Sequence, residues 1–212
     1  MEKLIKKGAE ADIYLGKWFG RTAIYKIRCP RSYRQPKLDE EIRRHRTQHE
    51  VSFLYEAKIA GVMTPSVYFV DPKKAEIVMQ FVNGERLKEL LHKSKKDEIT
   101  SLFTKVGNYV AMLHKKNIVH GDLTTSNFII INKYYPVLID FGLAFFSRRI
   151  EDFAVDLHLM KEVITSAHSQ ISDILYHSLL RGYTDTVEKK MMPLMLNKIK
   201  EIERRGRYAR VE

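Results

Sequence analysis

Residues 118–143 read IVHGDLTTSNFIIINKYYPVLIDFGL. Within that stretch Asp122 stands five residues before Asn127, and Asp140 stands thirteen residues beyond it. Between them, residues 128–131 and 136–139 are short apolar runs separated by polar and aromatic residues, so a hairpin is predicted. A hairpin turns the chain back on itself, which brings oxygen-bearing side chains far apart in sequence to one end of the ladder. A lone Asp-Phe-Gly is an ordinary turn, and His-Gly-Asp by itself can cap a helix. Their joint occurrence around two apolar strands is what carries weight.

On the N-terminal side, residues 11–15 and 21–27 read as strands on either side of a turn region at 16–20. Residues 29–46 are dense in Lys and Arg and contain Pro30 and Pro36, which marks an exposed loop leading into a helix from near Leu38 to Ala60. Gly61 ends that helix and Pro65 bars re-entry. Strands are expected at 67–70 and 76–82, around a turn at 71–74, and Asn83 with Gly84 forms a hinge. The period then changes. Ile99, Leu102, Phe103, Val106, Val110 and Leu113 recur at helical spacing, the signature of a buried helix face. Beyond the hairpin, helices are predicted over 153–167, 171–180 and 187–202. Strands around one helix, followed mostly by helices, describe an α+β, bilobal chain. Its β-rich N-lobe covers residues 1–82 and its reduced helical C-lobe covers 83–212, the two forming one domain that meets at 82–84. A cleft between lobes is a natural ligand site.

The Asp122, Asn127 and Asp140 spacings match the catalytic and magnesium loops of protein kinases, and the chain resembles that superfamily. The resemblance implies ATP and Mg²⁺ as cofactors. Asp122 is then the catalytic carboxylate that orients the attacking hydroxyl or water, and Asn127 and Asp140 are the metal ligands. Lys26 ends the strand-like run Thr22-Ala23-Ile24-Tyr25-Lys26, where a kinase places the cation that holds the α- and β-phosphates. Its partner is sought on the following helix, with Glu50 chosen and Glu56 as the rival. Gly8, Ala9, Glu10 and Ala11 occupy the place of the nucleotide-covering loop but keep one glycine of the usual three, and Glu10 brings a negative charge toward the phosphates. Met79 completes the set of ATP-site candidates. His45 and His49 are four apart, yet Phe53 stands where a zinc-protease pattern needs its second histidine, so no metal site is read there.

More narrowly, the chain resembles the small PRPK-type kinase of the KEOPS complex over nearly its whole length. The residues that carry this are Gly8-Ala9-Glu10-Ala11, Arg46-Thr47 before Glu50, Ala60-Gly61-Val62 with Thr64-Pro65, HGDLTTSN at 120–127, Asp140-Phe141-Gly142-Leu143, and the stretch EDFAVDL at 151–157. The resemblance implies an atypical Ser/Thr protein kinase or ATPase. Its partners would be a threonylcarbamoyl-transferase subunit and other KEOPS subunits, and its role would be to support threonylcarbamoyl-adenosine modification of tRNA beside the anticodon. Gly121 stands where ordinary kinases carry the arginine that pairs with a phosphorylated activation loop, so activation by loop phosphorylation is not expected. The short segment from Gly142 to Phe153 lacks an Ala-Pro-Glu motif and leaves little room to dock a peptide. Two alternatives stay open: a RIO-type kinase of ribosome maturation, and a nucleotide-binding scaffold with little catalysis.

Composition sets the outer limits. Lys and Arg outnumber Asp and Glu by 37 to 26, a formal charge of +11, which either favours contact with a polyanion such as nucleic acid or an acidic protein surface, or merely keeps the protein soluble. The basic tail with Arg204, Arg205, Arg207 and Arg210 is either a solvated helix end or a tRNA phosphate contact. Cys29 is the one cysteine, so no intrachain disulfide forms and a reducing compartment is expected. No apolar signal core follows Met1 and no window has the length of a membrane span, so a cytoplasmic protein without membrane contact is expected.

Overall fold

The computed structural model describes residues 2–91, 93, 95–167 and 169–208, with side chains described up to Arg205. The N-terminal part is a five-stranded antiparallel sheet built from β1 (Lys3–Lys6), β2 (Asp12–Trp18), β3 (Arg21–Ile27), β4 (Val67–Asp71) and β5 (Glu76–Gln80), in the order β1-β2-β3-β5-β4. The expected turn at 16–20 is tighter than its glycines suggest. Strand β2 runs through Gly16 to Trp18, and Phe19 and Gly20 alone turn the chain, with φ of 45° and 81°. Gly16 serves packing instead, because a Cβ there would meet the Tyr25 ring at 2.8 Å.

Strand alternation gives this sheet two distinct faces. Ala23, Tyr25 and Val78 cluster on one with Tyr14, Trp18 and Tyr68. Directly opposed residues in an antiparallel pair point the same way, so Lys26 opposite Ile77 and Ile24 opposite Met79 belong to the other face. Helix α1 (Pro36–Ile59) lies between β3 and β4 in the chain. It starts two residues before Leu38 because Pro36 occupies the first turn, where a missing N–H costs nothing. It ends as predicted: Gly61 adopts φ 92°, and the Val62 N–H bonds back to the Ala57 carbonyl at 3.0 Å.

The remainder comprises β6 (Glu85–Arg86), α2 (Leu87–Leu90), α3 (Lys96–Lys115), β7 (Ile118–Val119), a 3-10 turn at Thr125–Asn127, β8 (Phe128–Ile131), β9 (Tyr135–Leu138), β10 (Phe145–Phe146), α4 (Ile150–Ala167), α5 (Ser172–Thr186) and α6 (Met191–Tyr208). The predicted hairpin is present, with Phe128 opposite Leu138, and β6 extends it to three strands. The two-residue ladder of β7 with β10 is too short to show in a sequence pattern. Helix α5 runs past the expected end at Leu180 because Gly182 is a contact glycine and not a terminator. A Cβ on Gly182 would lie 1.8 Å from the Thr104 carbonyl oxygen, and one on Gly107 would lie 2.0 Å from that of Leu179, so α3 and α5 touch backbone to backbone. Helix α6 starts at Met191, after the predicted Val187, which is extended.

All six residues of the predicted α3 face are buried. They belong to one apolar cluster that also takes in Phe53, Leu54 and Ala57 of α1, Phe128 and Leu138 of the hairpin, Phe141, and side chains from α4, α5 and α6. Each fully buried large side chain contributes about 1.5–3 kcal/mol relative to exposure. The same core that supports the helices therefore fixes one end of α1 and both strands of the hairpin. Among the described residues, no helix is long and apolar enough to cross a membrane.

Candidate active site

Lys26 lies near the end of β3 and is 8% exposed. Its Nζ is 2.6 Å from Oε1 of Glu50 on α1 and 3.1 Å from Oδ1 of Asp140. Burial alone would lower the lysine pKa, but Glu50 and Asp140 outweigh it, so the ammonium is held above its ordinary value. Asp140 mirrors this. Burial would raise its carboxyl, yet Lys26 and the Gly142 N–H, which donates to Oδ1 at 3.0 Å, hold it below the usual carboxylate range. Glu50 is fully buried and Glu56 half-buried; it is Glu50 that meets the lysine.

The hairpin delivers the other oxygens. The Ile139 N–H donates to the Asn127 carbonyl at 3.0 Å, which sets residue 127 beside the chain entering Asp140. Asn127 Nδ2 donates to Asp122 twice, to its backbone oxygen at 2.9 Å and its carboxylate Oδ2 at 3.0 Å. A continuous line of polar contacts thus runs from Asp122 through Asn127 and the hairpin to Asp140, Lys26 and Glu50. The Asp122 carboxylate is exposed and can meet a second reactant.

Beneath the loop sits a residue with no assigned role in the sequence reading. Asp156, on α4, is 1% exposed and accepts the backbone N–H of His120 at 2.6 Å and that of Gly121 at 2.9 Å. His114 of α3 places Nε2 3.2 Å from the same carboxylate and Nδ1 2.9 Å from the Tyr183 hydroxyl. Burial would raise the Asp156 carboxyl, but these partners keep it below the ordinary range. His120 is wholly buried, and desolvation holds its pKa below the usual imidazole value despite three nearby carboxylates. Gly121 is needed between them. Its φ is 76°, and a Cβ would lie 2.4 Å from the Leu143 carbonyl oxygen, so an arginine cannot occupy the position.

The loop at 8–11 is short and tied down. A Cβ on Gly8 would meet the Ala11 carbonyl oxygen at 2.3 Å, and the Gly8 N–H donates to Asp12 Oδ1 at 3.2 Å. Ala9 is exposed and Ala11 buried. Cys29 is partly engaged here, its thiol donating to Asp12 Oδ2 at 3.3 Å. The charge on Glu10 finds a cation: Arg46 of α1, with NH1 2.8 Å from Oε1. The other Glu10 oxygen lies 3.9 Å from where a Gly142 Cβ would stand, so this loop reaches the Asp140–Gly142 turn. Met79 is buried on β5, on the same sheet face as Lys26. His45 and His49 form a ladder of rings with Phe53 and Phe146.

A second buried partner of Glu50 is Arg28, which no local signal in the sequence marks. Arg28, 3% exposed, places NH2 2.5 Å from Glu50 Oε2 and NH1 3.3 Å from the Thr47 hydroxyl. Of the tail, Arg205 pairs with Glu151 at 2.6 Å, and Glu203 with Lys161 at 2.6 Å, which fastens α6 to α4. The Arg207 side chain and Arg210 lie outside the described residues.

The family described as Protein kinase domain matches residues 2–170. A KEOPS complex subunit Bud32 from Pyrococcus abyssi is 43% identical over 212 residues, which cover 97% of this chain and 96% of that protein. An EKC/KEOPS complex subunit bud32 from Dictyostelium discoideum is 35% identical, covering 96% of this chain and 82% of the relative. A probable bifunctional tRNA threonylcarbamoyladenosine biosynthesis protein from Methanothermobacter thermautotrophicus is 40% identical over 97% of this chain, which spans only 36% of that longer protein. Among solved structures, the complex of Rv3197 with erythromycin from Mycobacterium tuberculosis aligns with a TM-score of 0.51 at 16% identity, covering 82% of this chain and 53% of the other, a likeness of fold. With a protein kinase domain over most of its length and a Bud32 relative matched end to end, the chain belongs to the Bud32 family of protein-kinase-fold proteins.

Proposed function

We propose that this chain is the ATPase and Ser/Thr kinase subunit of a KEOPS complex, using Mg-ATP to support threonylcarbamoyl-adenosine modification of tRNA next to the anticodon. The observation that carries the reading is the convergence on Lys26 of Glu50 and Asp140, at 2.6 and 3.1 Å, with Asn127 linking Asp122 to the same hairpin. In this reading Lys26 holds the α- and β-phosphates, Glu50 orients it, and Gly8, Ala9, Glu10 and Ala11 cover the nucleotide with Met79 on the sheet face behind it. Asp122 orients the attacking hydroxyl or water and accepts its proton.

Asp140 and Asn127 offer hard oxygens, and the Asp140 side chain is 42% exposed, which fits Mg²⁺, a cation commonly held by one or two carboxylates together with phosphates. When bound there, Mg²⁺ supplies charge neutralisation at the phosphate oxygens. The names of the relatives favour KEOPS over a ribosome-maturation kinase. In the longer relatives a segment like this chain shares one polypeptide with further sequence under a bifunctional threonylcarbamoyladenosine name, which supports direct partnership with the transferase subunit. The +11 charge supports contact with tRNA, and a cytoplasmic location follows from that substrate. Residues 1–82 and 83–212 then act as two lobes of one domain hinged at 82–84.

The test is Mg²⁺-dependent ATP turnover by the wild type and by Asp140→Ala, which removes a ligand without touching the core. Turnover in the wild type and none in a folded variant is expected; equal turnover would overturn the assignment. In a reconstituted tRNA-modification assay, full activity of an Asp122→Ala, Asp140→Ala protein would favour the scaffold role instead. Truncation after Ile202 tests the tail, and unchanged tRNA affinity and ATPase rate would remove it from the tRNA surface.

A further inference from the structure

We infer that Arg28 is a positioning residue for phosphoryl transfer, a second buried cation that clamps Glu50 and so holds helix α1 in its working position without activation-loop phosphorylation. The inference rests on the Mg-ATP reading above. Glu50 spends each carboxylate oxygen on a different cation, Oε1 on Lys26 at 2.6 Å and Oε2 on Arg28 at 2.5 Å. The Arg28 NH1 reaches the Thr47 hydroxyl at 3.3 Å, nearly one helical turn before Glu50, so one planar fork grips α1 at two points.

The grip is braced from behind. The Arg28 N–H bonds the Ala75 carbonyl at 3.0 Å, which fixes its backbone to the turn between β4 and β5. Arg43 NH1 approaches the Arg28 carbonyl at 3.5 Å, and Arg43 is itself held by Asp39 at 2.6 Å. Arg28 Nε is buried with no partner among the described residues, a desolvation cost that simple charge balance would not require. Its NH2 also lies 3.8 Å from where a Gly142 Cβ would stand, so the nitrogen on Glu50 borders the turn that carries Asp140.

The charges explain why one cation is not enough. Lys26, a flexible point charge, is shared between Glu50 and Asp140; with Arg28 absent, Glu50 competes with Asp140 for that one ammonium. With Arg28 present, two cations face two carboxylates, and Glu50 stays in place when Lys26 turns toward a nucleotide. Gly121 cannot be an arginine, because of its φ of 76° and the Leu143 oxygen 2.4 Å from any Cβ, so the usual phosphate-dependent control of α1 has no receptor there. Arg28 supplies from within the fold what that control supplies from outside.

The experiment compares ATP turnover by wild type, Arg28→Met, Arg28→Lys, Glu50→Gln and the Arg28→Met, Glu50→Gln double variant, each per folded protein by circular dichroism. Arg28→Met is expected to lower kcat about a hundredfold, with a smaller change in KM for ATP. Arg28→Lys is expected not to restore it, since one ammonium cannot serve Glu50 and Thr47 as a fork does. In the Glu50→Gln background, Arg28→Met is expected to cost less than about twofold more, because both changes break one interaction. If Arg28→Met fails to fold, Thr47→Val carries the test through the second grip, with a lower kcat per folded protein expected beside the fall in melting temperature that the unpaired Arg28 NH1 brings. A merely structural Arg28 would lower the melting temperature and leave kcat of the folded fraction alone, and that result, or additive losses in the double variant, would overturn the inference. Absence of turnover in the wild type would instead remove the Mg-ATP reading itself.

Discussion

Replacing Asp156 by alanine isolates the support beneath the loop at 120–122 from the candidate site above it. The carboxylate is 1% exposed and accepts the N–H groups of His120 and Gly121 at 2.6 and 2.9 Å. The His120 donor cannot turn to water, because His120 is itself buried, and the half-buried Gly121 is fixed at φ 76° under the Leu143 carbonyl. A buried donor left unpaired costs about 1–3 kcal/mol, so the His120 N–H alone costs that much, and the half-buried Gly121 N–H takes the total up to about 6 kcal/mol. Against a total stability of about 5–15 kcal/mol, this is a large fraction. For a chain of this size it corresponds to a melting temperature lower by on the order of 10 °C. Asp156→Asn retains one acceptor oxygen but turns an NH₂ toward the other N–H, so it should fall between wild type and alanine. Urea unfolding followed by far-ultraviolet circular dichroism gives the midpoint and slope for all three. A midpoint for Asp156→Ala equivalent to less than about 0.5 kcal/mol of loss, the range of ordinary surface changes, would refute the argument that Asp156 anchors the loop.

Gly182→Ala puts a methyl 1.8 Å from the Thr104 carbonyl oxygen, so α3 and α5 must separate; a loss of about 1–3 kcal/mol is expected, and an unchanged urea midpoint would contradict the backbone contact. His120 and Asp156 both have depressed pKa values in the fold, so each contributes stability that is whole above its ordinary value, 6.5 or 3.8, and is lost as pH falls through its lower folded value. Urea midpoints should therefore decline in two acid steps, and Asp156→Asn should flatten the second; Lys26, raised above 10.5, adds a loss only as pH rises beyond that value. Arg46→Ala removes the exposed partner of Glu10, so it should change stability by less than about 1 kcal/mol while weakening nucleotide binding, measured by titration calorimetry, if Glu10 is left to repel the phosphates.

The parts of the fold legible in the sequence are those whose signal is local or periodic. The α3 stripe from Ile99 to Leu113 can bury only one way, and every residue in it is buried. The 118–143 stretch carries its own geometry, since the distance between Asn127 and Asp140 is set by the hairpin they flank. Glycines were the ambiguous letters. Gly61 is a terminator, whereas Gly16 and Gly182 admit a ring and a neighbouring helix in the middle of regular elements. Nothing local separates the two uses, because the deciding atom belongs to another segment.

The illegible part of the site has a common physical character: it is the buried polar layer. Thr47 on α1, Arg28 after β3, Asp156 on α4 and His114 on α3 are all buried, although Thr, Arg and Asp are residue types usually found at the surface. Pattern reading assigns burial by apolarity, so a charged residue is scored as solvated until its partner is known. Those partners are remote: Arg28 finds Glu50 22 positions on, and Asp156 finds the His120 and Gly121 amides 36 and 35 positions back. The motif residues Asp122, Asn127 and Asp140 are recognisable because the proposed phosphoryl-transfer chemistry would restrict which types can stand there. The residues that hold them are restricted only by the shape of the cavity each fills and the lone pairs left over. That difference gives mutagenesis its direction, since a change in the supporting layer should reveal itself first in stability or in kcat at constant nucleotide affinity, and a change in the motif should reveal itself in turnover with the fold intact.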